Sequence, residues 1–148
     1  MKRLIPVLVC LTLGAAGPAH AVDTVVSRDA PDLSAARGRI AAGDYRGAVA
    51  ILTPLTETHQ HADVYNLLGY SLRKSGDARQ ALVYYRKALD FDPAHRGALE
   101  YLGELYVETG QLDKARVQVA ALRKACPQGC EELADLERTV AGAAAARP

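Results

Sequence analysis

The stretch Cys126-Pro127-Gln128-Gly129-Cys130 places two thiols three residues apart around a proline and a glycine. In a tight turn such a pair can meet at disulfide distance. The bridge is the expected state in an oxidising compartment. A thiol-redox or metal-handling role for Cys126 and Cys130 is the alternative, although redox pairs of the thioredoxin kind have two intervening residues. Covalent haem needs a histidine directly after the second cysteine, and Glu131 stands there. His59 and His61 lie two residues apart with no second ligand pair nearby, so a solvated turn is expected rather than a metal site. His95 is read in the same way. Glu100, Glu104 and Glu108 recur at four-residue steps, so on a helix they share one stripe and repel unless a cation lies across them. No serine-nucleophile motif, triad or phosphate loop accompanies these groups, so neither catalysis nor a cofactor is expected.

Composition narrows the classes further. Hydrophobic residues make up 49% and charged residues 24%, an ordinary globular balance able to form a core. The chain carries 18 basic and 17 acidic residues, so no polyanion preference follows. Seven tyrosines, one phenylalanine and no tryptophan give a poor stacking platform for bases, and nucleic acid is not an expected partner.

Lys2 and Arg3 precede an apolar run over residues 4–13, and Ala19-His20-Ala21 has the small residues that signal peptidase requires. Residues 1–21 are therefore expected to be a signal peptide cut after Ala21, leading to a bacterial periplasm. The apolar run is about half of the roughly 20 residues that a spanning helix needs, so stable membrane insertion is not expected. Val9 before Cys10 argues against lipidation at that cysteine.

Positioning elements emerge from an internal period. An offset of 34 superposes Leu68 on Leu102, Gly69 on Gly103, Gly76 on Gly110, Ala81 on Ala115, Val83 on Val117 and Pro93 on Pro127. An offset of 33 carries Gly43, Asp44 and Ala48 onto Gly76, Asp77 and Ala81. Three copies then tile about 29–61, 62–95 and 96–129, after a lead-in over 22–28. In the second copy Tyr65, Leu68 and Leu72 form one apolar stripe at helical spacing, and Ala81, Leu82, Tyr85, Ala88 and Leu89 form another. Each copy is thus a pair of helices. Gly76 suits the left-handed end of the first helix, Asp77 caps the second, and Asp92-Pro93 closes the unit. Leu133, Leu136 and Val140 continue the helical spacing, predicting a capping helix over 131–141 and a flexible tail over 142–148. Pro54, inside the second helix of the first copy, predicts a bend.

These residues resemble the tetratricopeptide repeats, in which a large residue, Leu-Gly, an aromatic, Ala, an aromatic, Ala and Pro recur at fixed offsets within a unit of about 34 residues. Tyr65, Leu68, Gly69, Leu72, Ala81, Tyr85, Ala88 and Pro93 fit throughout. The third copy departs at Val119, where a larger residue is usual, and the first is the weakest, with Asp32 and Arg39 at bulky positions. The resemblance implies an all-α fold, a short right-handed α-solenoid of about three helix pairs plus the C-terminal cap. It also implies a non-enzymatic adaptor that binds a peptide or helix of another protein on its concave face. Mapped onto the family's inner face, the partner-binding residues are Arg37, Asn66, Tyr70, Arg73, Lys74, Glu100, Glu104 and Glu108. Arg37, Arg73 and Lys74 are the cations available to the glutamate stripe. The carboxylate clamp of some chaperone adaptors is not reproduced, since Glu100 and Glu104 stand where basic residues would be needed. Self-association into a homo-oligomer is a further expectation.

Overall fold

The computed structural model describes residues 28–146, so the expected leader, and Cys10 with it, lie outside the described residues. Seven helices and no strand occur among the described residues: α1 (Ser34–Ala41), α2 (Tyr45–Thr58), α3 (Ala62–Lys74), α4 (Ala78–Phe91), α5 (Arg96–Glu108), α6 (Leu112–Ala125) and α7 (Glu131–Ala145). The architecture is the all-α solenoid expected, with hairpins α1/α2, α3/α4 and α5/α6 followed by α7.

The repeat positions explain the turns. Gly43, Gly76 and Gly110 occupy one register and have φ of 74°, 94° and 75°, a left-handed conformation that ends the first helix of each hairpin. Asp44 and Asp77 then cap the second helix, accepting from Gly47 N at 2.9 Å and Gln80 N at 3.0 Å. The third copy has Gln111 at this position and no side-chain cap.

His61 and His95 correct the reading of solvated turns. They stand one repeat apart and cap α3 and α5, Nδ1 accepting from Asp63 N at 3.3 Å and from Ala98 N at 3.1 Å. The chain enters each of these helices in extended conformation, which lays the imidazole over backbone N–H groups that have no intrahelical acceptor.

Packing follows from small residues in register. Ala48, Ala81 and Ala115 are wholly buried, and their size lets the two helices of each hairpin approach. Gly69 does the same for Tyr85: a Cβ there would lie 2.8 Å from the ring. Val119 occupies the register of Tyr85 in the third copy, and Gly103 that of Gly69. The space above Gly103 is filled by Leu136 of α7, which is wholly buried among Leu99, Val119 and Leu122. The capping helix thus supplies the bulk that the third copy lacks.

Two expected boundaries shift, and α2 keeps its proline inside. The first copy becomes helical only at Ser34, where Asp32 Oδ1 accepts from Ser34 N at 2.8 Å and holds a turn ahead of α1. α2 passes through Pro54 as one helix, losing a single backbone donor. α7 continues to Ala145, beyond the expected end at 141. Residues 142–145 thus belong to the helix rather than to a flexible tail, because the alanines favour helix strongly enough to carry it past Gly142.

Consecutive first helices pack on each other, α1 on α3, α3 on α5 and α5 on α7, whereas the backbones of α2, α4 and α6 stay farther apart. A stack closed on one side and splayed on the other must curve. α1, α3, α5 and α7 therefore line its inner side.

Candidate functional site

The seam between α3 and α5 gathers most of the residues assigned to the inner face. Arg73 of α3 reaches across it, with Nη2 2.5 Å from Glu104 Oε2, Nη1 3.6 Å from Glu108 Oε1, and Nη1 donating to the Tyr101 carbonyl at 3.4 Å. Its guanidinium also lies 5.9 Å from the ring centre of Tyr70 and 5.6 Å from that of Tyr101. Arg73 is the cation that the glutamate stripe requires, contributed by the preceding repeat. Burial works against its charge, but Tyr85, Glu104 and Glu108 outweigh that and hold the guanidinium protonated above its ordinary range.

Aromatic rings surround this pair. Tyr70 and Tyr101 tilt against each other at 4.8 Å, Tyr45 meets Tyr70 edge-on at 6.2 Å, and Tyr85 lies 6.2 Å from Tyr101. Lys74 places its ammonium 5.5 Å from the Tyr70 ring centre, at the exposed rim. Burial raises the Tyr70 and Tyr85 phenols and pushes Tyr101 up to about 12, so all three stay neutral hydroxyls at physiological pH.

Placement on the inner side does not make every expected residue equally exposed. Asn66, Arg73 and Glu100 are buried, with 6%, 9% and 8% of their surfaces exposed. Arg73, held by Glu104 and Glu108, belongs to the frame of the face, while Tyr70 and Glu104 are half-buried and Lys74 and Glu108 open. Tyr45 and Tyr101 were missed. Tyr101 follows Glu100 directly and lies four residues beyond Gly97, a spacing that places it on the same side of α5. Tyr45 opens α2, outside the helices assigned to the inner side, and no sequence signal places it there.

Glu100 differs from its neighbours. It makes no hydrogen bond or ion pair among the described residues, and its carboxyl is pushed up to about 7 by burial and by the negative charges of Glu104, Asp135 and Glu132, with Arg73 opposing. Arg37 lies apart, at the first-repeat end, 3.8 Å from Asp63 Oδ2. Asp63 also accepts from His95 Nε2 at 2.8 Å, so His95 ties α3 to α5 while its other nitrogen caps α5. Two interactions, one at each ring nitrogen, thus fix the orientation of the imidazole.

Cys126 directly follows α6 and Cys130 directly precedes α7, and their sulfurs are joined in a disulfide across Cα atoms 6.0 Å apart. Gly129, at φ 89°, makes the turn between them. Among the described residues no group of three or more His, Cys, Asp or Glu side chains is arranged to hold a metal ion. No helix among them is long and apolar enough to cross a membrane.

Stacked helical hairpins with glycine turns in register and a curved inner side define a helical-repeat protein. Tetratricopeptide-repeat family profiles match the chain over residues 33–93 and over 72–138, together spanning its repeats. The chain belongs to the tetratricopeptide-repeat family. Among solved structures it is similar to PcrH in complex with the chaperone binding region of PopD, with a TM-score of 0.64 and 22% identity over 74% of this chain and 84% of that one. It is likewise similar to the Yersinia enterocolitica type III secretion chaperone SycD in complex with a peptide of the translocator YopD, with a TM-score of 0.63 and 18% identity over 75% of this chain and 85% of that one. At these identities the likeness is one of fold. A curated relative, the probable biofilm formation methyltransferase WspC of Pseudomonas putida, is 44% identical over 62 residues, which are 42% of this chain and 15% of that protein. The chain therefore spans a small part of that relative's length.

Proposed function

We propose that this protein is an exported, non-enzymatic adaptor that binds a peptide or helix of a partner protein on its concave face. The observation that carries this reading is the half-buried pair Tyr70–Tyr101, tilted together at 4.8 Å and fixed from below by Arg73 and Glu104. Rigid aromatic side chains offer contact area at low entropic cost, because the frame is ordered before a partner arrives. Lys74 and Glu108 at the rim supply charges of both signs for orientation. The structures of PcrH with a PopD region and of SycD with a YopD peptide are of protein-binding repeats, and they support the same use of this fold here. Export to the periplasm rests on residues 1–21 and suits the disulfide. A mature N-terminus at Val22 in an envelope fraction is the expected result of its mass analysis. The bridge between helix ends favours a structural staple over a redox or metal role for Cys126 and Cys130, which thiol titration of the native protein tests.

A photo-crosslinking amino acid placed at Lys74 on the inner rim, or at Val83 on the outer surface, tests the face directly. Val83 is 54% exposed on α4, so both positions accept the probe. Discrete adducts at 74, absent at 83 and lost with Tyr70→Ala, are expected in the native cell. Equal adducts at both positions would exclude the concave face.

A further inference from the structure

Along the α3–α5 seam the glutamates of α5 are served unequally. Glu104 and Glu108 share Arg73, whereas Glu100, one turn earlier and only 8% exposed, has no hydrogen bond or ion pair among the described residues. At the same level α3 presents a second unsatisfied acceptor. Asn66 is only 6% exposed and its Oδ1 has no hydrogen-bond partner among the described residues. Its amide sits over Gly97, where a Cβ would lie 3.1 Å from Nδ2, so the glycine makes room for it. Gly97 and Glu100 are three residues apart and share one side of α5. Asn66 and Glu100 occupy the same register of consecutive repeats, so the solenoid brings two buried acceptors together on its inner side.

A buried acceptor without a donor costs free energy, and a buried carboxylate without a cation costs more. Local cations do not meet this need: Arg73 is held by Glu104, Arg96 by Glu132 at 3.6 Å, and Arg138 by Asp135. Glu132 also lines an open cleft of about 330 Å³ at the start of α5, with Asp63, His95 and Gly97. Gly97, over which the Asn66 amide sits, lines the same cleft.

We infer that Glu100 and Asn66 form a subsite for a lysine or arginine side chain of the bound polypeptide, the carboxylate taking the cation and Asn66 Oδ1 a backbone N–H of the same segment. This deepens the concave-face reading and rests on it. The pairing of a cation with a neighbouring amide is what selects a polypeptide over a free amine. The raised carboxyl of Glu100 agrees with the site, since burial and the negative charges of Glu104, Asp135 and Glu132 act on it and only Arg73 opposes them.

The test is an NMR titration of the isotopically labelled protein at pH 8, using the peptide acetyl-Gly-Lys-Gly-amide, its norleucine counterpart and n-butylammonium as probes. The lysine peptide is expected to shift the Glu100 amide and the Asn66 side-chain NH₂ saturably. The norleucine peptide should leave both unmoved, and n-butylammonium should bind at least tenfold more weakly. Glu100→Gln, which keeps the shape and removes the charge, should weaken the lysine peptide at least tenfold, while Glu57→Gln, at an exposed glutamate of α2, changes it less than twofold. Unchanged binding by Glu100→Gln, shifts confined to Glu104 and Glu108, or no shift at all would overturn the subsite. Equal binding of n-butylammonium would overturn its assignment to a polypeptide. Persistence of Lys74 crosslinks alongside any of these would show that the subsite fails while the concave face stands.

Discussion

Arg73 and Glu104 join two consecutive repeats through a contact of 2.5 Å in which the arginine side chain is 5% exposed and the glutamate 24%. Removing one partner of such a pair strands the other. Glu104→Ala should therefore lower unfolding stability in urea by about 2 to 3 kcal/mol, somewhat less than for a wholly buried pair because Glu104 is partly open. Glu108→Ala, whose carboxylate is 3.6 Å away and 55% exposed, should cost under about 0.5 kcal/mol. Equal costs would mean that Arg73 is shared evenly along the stripe.

Leu136 seated on Gly103 makes α7 part of the third repeat's core, and a double-mutant cycle reads that contact. Leu136→Ala should cost about 2 to 4 kcal/mol, as for a large buried aliphatic side chain. Gly103→Ala should cost about 1 to 3 kcal/mol by overpacking against Leu136 in the native background. In the Leu136→Ala background the space is free, so the second substitution should cost little. Additive costs would place α7 elsewhere.

What the sequence makes legible is register. Leu, Gly, Ala and Pro recur because each helix must approach its neighbours at the same points, so the hairpins, their turns and the capping helix follow from spacing. Depth is not legible in the same way. Arg73 and Glu100 read as exposed because charged residues usually are. Their burial depends on how closely α3 and α5 approach, and that is set by Gly97 under the Asn66 amide and by Tyr70 against Tyr101. The histidine caps were missed for a related reason. Serine, threonine, aspartate and asparagine are the expected caps, and His61 and His95 act as caps only through the extended backbone before each helix.

The Cys126–Cys130 bridge closes a short loop between α6 and α7. On the chain-entropy account so small a loop stabilises by roughly 2 kcal/mol. Replacing both cysteines with serine should lower stability by about that amount, and hydrogen exchange should show α7 losing protection before α3 and α5. A uniform loss across all helices would show that the bridge does not act through α7.

Glu100 sets a pH dependence whose sign is opposite to that of an ordinary paired carboxylate. Its carboxyl moves from an ordinary 4.5 up to about 7 in the fold, so between these values the native protein binds more protons than the unfolded chain. Stability attributable to this group is therefore fully present below about pH 4.5, falls as pH rises, and is lost above about pH 7. Denaturation midpoints measured from pH 5 to 8 should decline in the native protein more steeply than in Glu100→Gln, which has no proton to lose there. The two curves should converge toward pH 5 and separate toward pH 8, with the variant the more stable at the alkaline end. A cation bound over the carboxylate stabilises its ionised form, so adding the lysine peptide should narrow the gap at pH 8 and leave pH 5 unchanged. Parallel curves without the peptide would show that Glu100 ionises in the fold as freely as it does in water.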